Sequence, residues 1–174
     1  MKQIIELVFA MVFLVGCGQN QPKVPTASAF KFDKIDYIHI QHHQPTKFTY
    51  QSPQDVEKKY NDQILDALKN SNLLDQNSTD ELKISIKHHR EFVGEATSLK
   101  SDRIANIWLY YNIQIIRNGE ILRQYISSRE RYDPGFFGNL KTIAMQNKDN
   151  KLENDAISAM AHHIIKIIKE NFKG

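Results

Sequence analysis

One strand pattern that ends in a tight turn constrains the fold of this chain more than any other part of its sequence. Between positions 106 and 115, aliphatic or tyrosine residues alternate with polar or aromatic ones, which is typical of a β-strand with one buried face. The following Arg117-Asn118-Gly119-Glu120 contains the Asn-Gly pair of a two-residue type I′ turn. A second strand is therefore expected to return beside the first as an antiparallel hairpin.

The turn also predicts which residues of the hairpin face each other. With Arg117 opposite Glu120, the inward pairs are Ile115 with Leu122, Ile113 with Gln124, Tyr111 with Ile126, and Leu109 with Ser128. The outward pairs are then Gln114 with Arg123, Asn112 with Tyr125, Tyr110 with Ser127, and Trp108 with Arg129. This register predicts a sheet face that carries aromatic and arginine side chains on the side away from the helices.

The other segments predict two more strands and two helices. Residues 35–41 are rich in β-branched and aromatic residues, and residues 82–87 alternate as a half-buried strand whose wet face is basic. Ser52, Pro53 and Asp55 form a helix start, and apolar residues follow at helical spacing. The last helix has one apolar stripe, made of Ile157, Met160, Ala161, Ile164, Ile165 and Ile168. Together they predict an α+β fold, a two-layer sandwich of a mostly antiparallel four-stranded sheet with two helices packed on one face.

An apolar run near the N-terminus indicates a signal peptide. Lys2 precedes apolar residues at 7–15, a run too short to span a bilayer. It ends in Leu14-Val15-Gly16-Cys17, which resembles the bacterial lipobox, where the cysteine receives diacylglycerol and becomes the mature N-terminus. We therefore predict a lipoprotein signal peptide at 1–16 and lipid attachment at Cys17, the single cysteine of the chain. The alternative is an uncleaved hydrophobic anchor helix.

The residues after the cysteine predict how the domain is attached. Residues 17–30 are expected to be the lipidated N-terminus and a flexible polar tether, and residues 31–174 a single α+β domain. An ordered arm packed on the domain is the alternative for the tether. Gly18 stands where an Asp would retain lipoproteins of the enteric type in the inner membrane, so the lipobox resemblance implies the outer membrane. The lipid-anchored domain is expected to face the periplasm.

The histidine pairs and the catalytic motifs decide whether a metal site or an active site is expected. Six of the seven histidines occur as His42-His43, His88-His89 and His162-His163. Adjacent residues on a strand point to opposite faces, so a strand pair offers one ring to a given site, and we expect no metal site and no cofactor. The chain contains neither a Gly-x-Ser-x-Gly nucleophile motif nor a phosphate-binding glycine loop. A non-catalytic protein is expected.

The outward sheet face is the predicted binding surface. Its candidate residues are Trp108, Tyr110, Arg123, Tyr125, Arg129 and Arg131. Trp, Tyr and Arg are enriched where proteins bind partners. Alternatively, these side chains only stabilise an exposed sheet, or the tether or the Phe136-Phe137 loop covers them. The net charge of +3 is mildly basic, and the lipobox argues by compartment against a nucleic-acid partner.

The order of lipobox, polar linker, strand, helix, three strands and helix resembles small outer-membrane lipoproteins, including the LPS-assembly lipoprotein LptE and auxiliary lipoproteins of ABC-type transport systems. The resemblance lies in layout, with Leu14-Val15-Gly16-Cys17 as its specific motif. It implies an accessory or assembly subunit of an envelope transport or secretion complex, with an outer-membrane barrel or transporter as partner. The alternative is a carrier of an anionic amphiphile such as LPS, or of a metal ion.

Overall fold

The computed structural model describes residues 25–135, 139–140 and 147–172. Its elements are, in chain order, β1 (Asp36–Ile40), α1 (Pro53–Asn70), β2 (Glu81–Phe92), β3 (Ile104–Arg117), β4 (Glu120–Ile126), β5 (Glu130–Arg131) and α2 (Lys151–Asn171). The predicted α+β class is confirmed for the described residues.

The strands form one open sheet in the order β1-β2-β3-β4, and the short β5 also pairs with β3. β1 lies parallel to β2, and the other pairs are antiparallel. The sheet has five strands where the sequence predicted four, because the strand that returns along β3 is interrupted between Ile126 and Glu130. The prediction of a mostly antiparallel sheet is confirmed.

The predicted hairpin turn is confirmed. Asn118 and Gly119 have φ angles of 52° and 84°, and Arg117 faces Glu120. Both central residues thus occupy the left-handed region that a type I′ turn requires, which Asn and Gly tolerate best. The inward residues of β3 are buried as the alternation predicted, and they are Ile107, Leu109, Tyr111, Ile113 and Ile115.

The predicted register beyond the turn is wrong, because β4 contains a bulge. Ile116 faces Ile121 and Ile115 faces Arg123, which leaves Leu122 without a partner on β3. One extra residue reverses the direction of every side chain that follows it. Arg123 and Tyr125 therefore point to the helix side rather than to the outward face.

The bulge brings a large ring to the core. The ring of Tyr125 stacks on Tyr111 with 6.1 Å between centroids, and both Leu122 and Tyr125 pack against the buried cluster. The regular register would have placed Gln124 and Ile126 on this side. Burying a tyrosine ring instead of a glutamine removes more apolar area from water at a smaller desolvation cost. Ile126 is consequently 68% exposed on the opposite face.

Both helices lie against the same face of the sheet. Ser52 and Asp55 form the predicted capping box at the start of α1, whose residues Val56, Tyr60, Ile64 and Leu68 are buried. All six residues of the predicted apolar stripe on α2 are buried, while His162 and His163 are exposed. The Tyr60 hydroxyl on α1 and Glu153 on α2 both reach His88 of β2, which joins the helices to the sheet.

The described part of the predicted tether, residues 25–30, packs on the domain. Phe30 is fully buried, and its backbone N–H donates to the carbonyl of Leu73. Asp80 accepts hydrogen bonds from the backbone of Ala27 and from the Arg117 guanidinium, which also donates to the carbonyl of Pro25. The ordered-arm alternative therefore describes these residues better than a tether does.

Several predicted features lie outside the described residues. They are the signal peptide, Cys17, the remainder of the tether and the Phe136-Phe137 pair. In the ranges that are described, neither long helix is apolar enough over a sufficient length to cross a bilayer.

Candidate functional site

The sheet face opposite the helices, which we call the open face, carries no helix in the described part of the chain, and its side chains range from half-buried to exposed. Each strand contributes the residues that alternate with its buried ones. From the centre of the sheet these are Lys83, Ser85, Lys87 and His89 of β2 and Trp108, Tyr110, Asn112 and Gln114 of β3, with Ile38 and Ile40 of β1 at one side and Gln124, Ile126 and Arg131 at the other.

Trp108 is held in a fixed position on the open face. Its indole Nε1 donates to Oε2 of Glu91 at 2.5 Å, and Asn106 donates to the same oxygen at 2.7 Å. The guanidinium carbon of Arg129 lies 3.7 Å from the centroid of the indole ring, a cation–π contact. An aromatic ring fixed before a partner arrives loses little side-chain entropy on binding.

A shallow groove of about 590 Å³ opens further along the open face, starting at Tyr110, two positions from Trp108 on β3. Ile38, Lys87, Tyr110 and Ile126 contribute to its lining. Ile38 is 51% exposed and Ile126 is 68% exposed, so two isoleucine side chains flank a lysine and a tyrosine in solvent. Apolar side chains in such a setting resemble the centre of a binding surface with polar groups around it.

The structure places four of the six predicted face residues together. Trp108 and Tyr110 lie on the open face, Arg129 covers the ring of Trp108, and Arg131 faces Trp108 across the β3–β5 pair. Arg123 and Tyr125 are on the helix side because of the bulge. The sequence reasoning missed Ile38, although the alternation of β1 marks it as outward, and it missed Ile126, for which the turn register gave the opposite side.

A second polar cluster lies in the core, between the sheet and α2. The carboxylate of Glu153 accepts from His88 Nε2 at 2.9 Å and from Arg90 Nη2 at 2.6 Å, and all three side chains are at most 3% exposed. The Tyr60 hydroxyl reaches Nδ1 of His88 at 3.1 Å. His88 and Arg90 occupy inward positions between Ile86 and Phe92, so the strand alternation already indicated their burial.

This buried cluster sets the pKa of Glu153. Burial alone would raise the pKa, but the hydrogen bonds and charges of His88 and Arg90 outweigh it and hold the pKa at about 2. On the neighbouring β1, burial lowers the pKa of His39 to about 4, and the nearby His88 and Arg90 lower it further. Glu153 is therefore charged and His39 neutral at neutral pH.

The low pKa of Glu153 predicts acid sensitivity. The folded carboxylate has a pKa of about 2 against an ordinary value of 4.5, so its stabilising effect is complete above that ordinary value and is lost as pH falls towards 2. We expect a loss of roughly 3 kcal/mol from this group across that range. Urea denaturation at a series of pH values measures the free energy of unfolding. In the Glu153→Gln variant, this part of its decrease at acid pH should be missing. If the variant lost as much stability as the wild type over this pH range, Glu153 would not be the group responsible.

The histidines divide between the two sides of the sheet as the strand alternation predicted. His88 points inward, and His89 points to the open face beside Trp108. His89 lies close to two residues from other segments. One possible ligand atom each from His42, His89 and Glu95 lies within 4.8 Å of the other two.

No protein-family model matches the chain, and no curated protein matches it. Among solved structures, a minor lipoprotein from Acinetobacter baumannii is 14% identical, with a TM-score of 0.40, over 83% of this chain and 92% of that one. A DUF330 family protein from Xanthomonas campestris is 9% identical, with a TM-score of 0.41, over 84% and 87% of the two chains. An uncharacterized protein is 8% identical, with a TM-score of 0.42, over 84% and 95%.

Similarities at this level carry no argument about function. The predicted resemblance to LptE and to transport auxiliary lipoproteins therefore stays a prediction.

Proposed function

We propose that this chain is a non-catalytic lipoprotein that acts as an accessory or assembly subunit of an envelope transport or secretion complex. Its open face is the docking surface. The supporting observation is the Trp108–Arg129 pair, a preformed aromatic and cationic contact on the same sheet face as two exposed isoleucines. Trp, Tyr and Arg are enriched among the residues whose truncation costs about 2 kcal/mol or more in protein interfaces.

The chemistry of the open face favours a protein partner with an apolar centre and acidic groups around it. Ile38, Tyr110 and Ile126 offer apolar contact area in and beside the groove. Lys87 and Arg131 are exposed close to these side chains, where they would meet carboxylates. Glu91 is already engaged by Trp108 and Asn106, which limits its repulsion of an acidic partner.

Lipid attachment at Cys17 is the membrane part of the proposal. The lipobox pattern Leu14-Val15-Gly16-Cys17 supports it, and Gly18 supports sorting to the outer membrane. Several acyl chains on one cysteine anchor a protein stably, whereas one chain binds only marginally. A partner such as an outer-membrane barrel or a transporter would then be reached within the same envelope.

The test is affinity purification of the full-length, C-terminally tagged protein from detergent-solubilised envelopes, followed by mass spectrometry. We expect a stoichiometric envelope protein to co-purify with the wild type. Replacing Trp108 and Arg129 together with Ala should weaken this association by roughly thirtyfold or more, because a tryptophan fixed in place by an arginine is the kind of contact that dominates interface energetics. Circular dichroism of the purified variant checks that the fold is intact.

A matched control uses exposed cations on the other side of the molecule. Lys166 and Lys169 of α2 are exposed away from the open face, and replacing both with Ala should leave the association unchanged. Equal loss in both variants would mean a general charge effect and would contradict docking by the open face. A wild-type protein that elutes alone, with an anionic amphiphile bound, would instead support the carrier alternative.

A further inference from the structure

Two segments that are distant in sequence, the one after β1 and the one from β2 into the turn that follows it, bring His42, His89 and Glu95 together at one end of the open face. His42 follows the end of β1, His89 lies in β2, and Glu95 lies in the turn after β2. Oε1 of Glu95 is 3.8 Å from Nε2 of His89, and the two imidazole rings meet edge to face with 5.3 Å between centroids. We propose that these three side chains form a binding site for a transition-metal dication of the Zn²⁺ type.

Nε2 of His89 is available to bind a metal ion. This nitrogen is buried and has no hydrogen-bond partner in the described part of the chain, although a buried polar atom normally has one. A metal ion would satisfy this otherwise unpaired nitrogen.

The carboxylate of Glu95 is oriented towards the same point. Its Oε2 accepts the backbone N–H of Phe92 at 2.8 Å, which leaves Oε1 on the side of His89. The turn that carries Glu95 contains Gly94, whose φ is 70°. Hydrogen bonds that fix a ligand in this way are the usual support around metal sites.

The segment that carries His42 is also tied in place. Nε2 of the neighbouring His43 lies 2.6 Å from the carboxylate of Asp102, which accepts the backbone N–H groups of Thr46 and Lys47 as well. Several hydrogen bonds therefore hold this loop beside the end of β2. His42 itself is exposed, so its ring can rotate towards the other two ligands.

The donor set selects the class of metal. Two imidazoles and one carboxylate suit Zn²⁺ and its first-row neighbours, whereas Ca²⁺ and Mg²⁺ take oxygen ligands. Tetrahedral Zn²⁺ sites have ligand atoms about 3.4 Å apart, so the present spacing of up to 4.8 Å requires a movement of about 1 Å, which the exposed ring of His42 can make. Three protein ligands leave a fourth position open.

The site departs from the expectation that the histidine pairs provide no metal ligands. His88-His89 contributes only one ring, as strand geometry requires, and His42-His43, which lies after β1, also contributes one. Two different pairs therefore meet, and a glutamate completes the set. Arg129 and Glu91 both interact electrostatically with His89. The positive charge of Arg129 disfavours a bound cation there, and the negative charge of Glu91 favours one. The site does not depend on the proposed docking role.

Trp108 provides an internal reporter for the test. It is the single tryptophan of the chain and is the cross-strand neighbour of His89. Co²⁺ bound at the site should quench its fluorescence and give the visible absorption of a four-coordinate cobalt complex. Calorimetry with Zn²⁺, on the full-length chain in detergent with a histidine-free tag, should give one ion per chain.

The variants decide whether these residues are the ligands. His89→Ala and Glu95→Gln should each weaken Zn²⁺ binding at least tenfold, since each removes one ligand. The double replacement of His162 and His163 with Ala, an exposed pair on α2, should leave affinity and quenching unchanged. Absence of Zn²⁺ binding to the wild type, or undiminished binding by the folded His89→Ala protein, would overturn the proposal, and so would equal loss in the control.

Discussion

Replacing Glu153 with Gln is expected to lower the free energy of unfolding by about 3–5 kcal/mol. The Glu153 side chain is fully buried and accepts hydrogen bonds from His88 and Arg90. Its removal leaves the guanidinium of Arg90 buried without its counter-ion, which costs more than the lost attraction itself. Urea denaturation followed by Trp108 fluorescence measures the loss.

An exposed acid on the same helix provides the control. Asp155 pairs with Lys151 one turn apart on the surface of α2. Surface pairs of this kind contribute little because water and salt screen them. Asp155→Asn should therefore leave the urea midpoint almost unchanged. Comparable losses in the two variants would mean that burial of the Glu153 cluster has little energetic importance.

Replacing Gly94 with Ala is expected to destabilise the protein by roughly 3 kcal/mol or more, because strain and a backbone clash combine. Gly94 has a φ of 70°, and a Cβ there would lie 2.3 Å from the carbonyl oxygen of Leu99. That oxygen belongs to the backbone and cannot rotate away. The residues around Leu99 would have to move, and thermal denaturation should show the loss.

Gly119 separates the two contributions. It also has a positive φ, 84°, but no atom lies within 4 Å of a Cβ built there. Gly119→Ala therefore carries only the left-handed penalty of about 1 kcal/mol. The difference between the two variants measures the clash at Leu99. Equal losses of stability in the two variants would contradict the clash and would show that the turn after β2 relaxes freely.

The hairpin shows what local sequence determines and what it does not. The Asn118-Gly119 turn and the inward residues of β3 were predicted correctly, because φ preferences and strand alternation are local. The register of β4 was not, because residues 121–126 contain apolar side chains in both phases. The choice between the regular and the bulged register depends on the packing of Tyr125 on Tyr111, a contact that exists only in the folded core.

The histidines show the same limit at the candidate sites. The alternation of β2 predicted that His88 and His89 face opposite sides of the sheet, and this is confirmed. It could not predict that Glu153 reaches His88 or that His42 and Glu95 approach His89. Glu153 and His42 belong to segments distant from β2, and whether Glu95 turns back towards His89 depends on the conformation of the turn between them.

The packing of residues 25–30 determines how the domain would stand relative to a membrane. Cys17 and Pro25 are eight positions apart, so a lipid on Cys17 holds Pro25 within at most about 29 Å of the bilayer surface. Pro25 is bound by Arg117 at the hairpin end of β3, and Trp108 lies nine positions earlier on that strand, about 30 Å away. The hairpin end of the sheet would then be the end held within that reach of the lipid headgroups, while Trp108, Arg129 and the His42–His89–Glu95 cluster would lie about one strand length further from the anchored end.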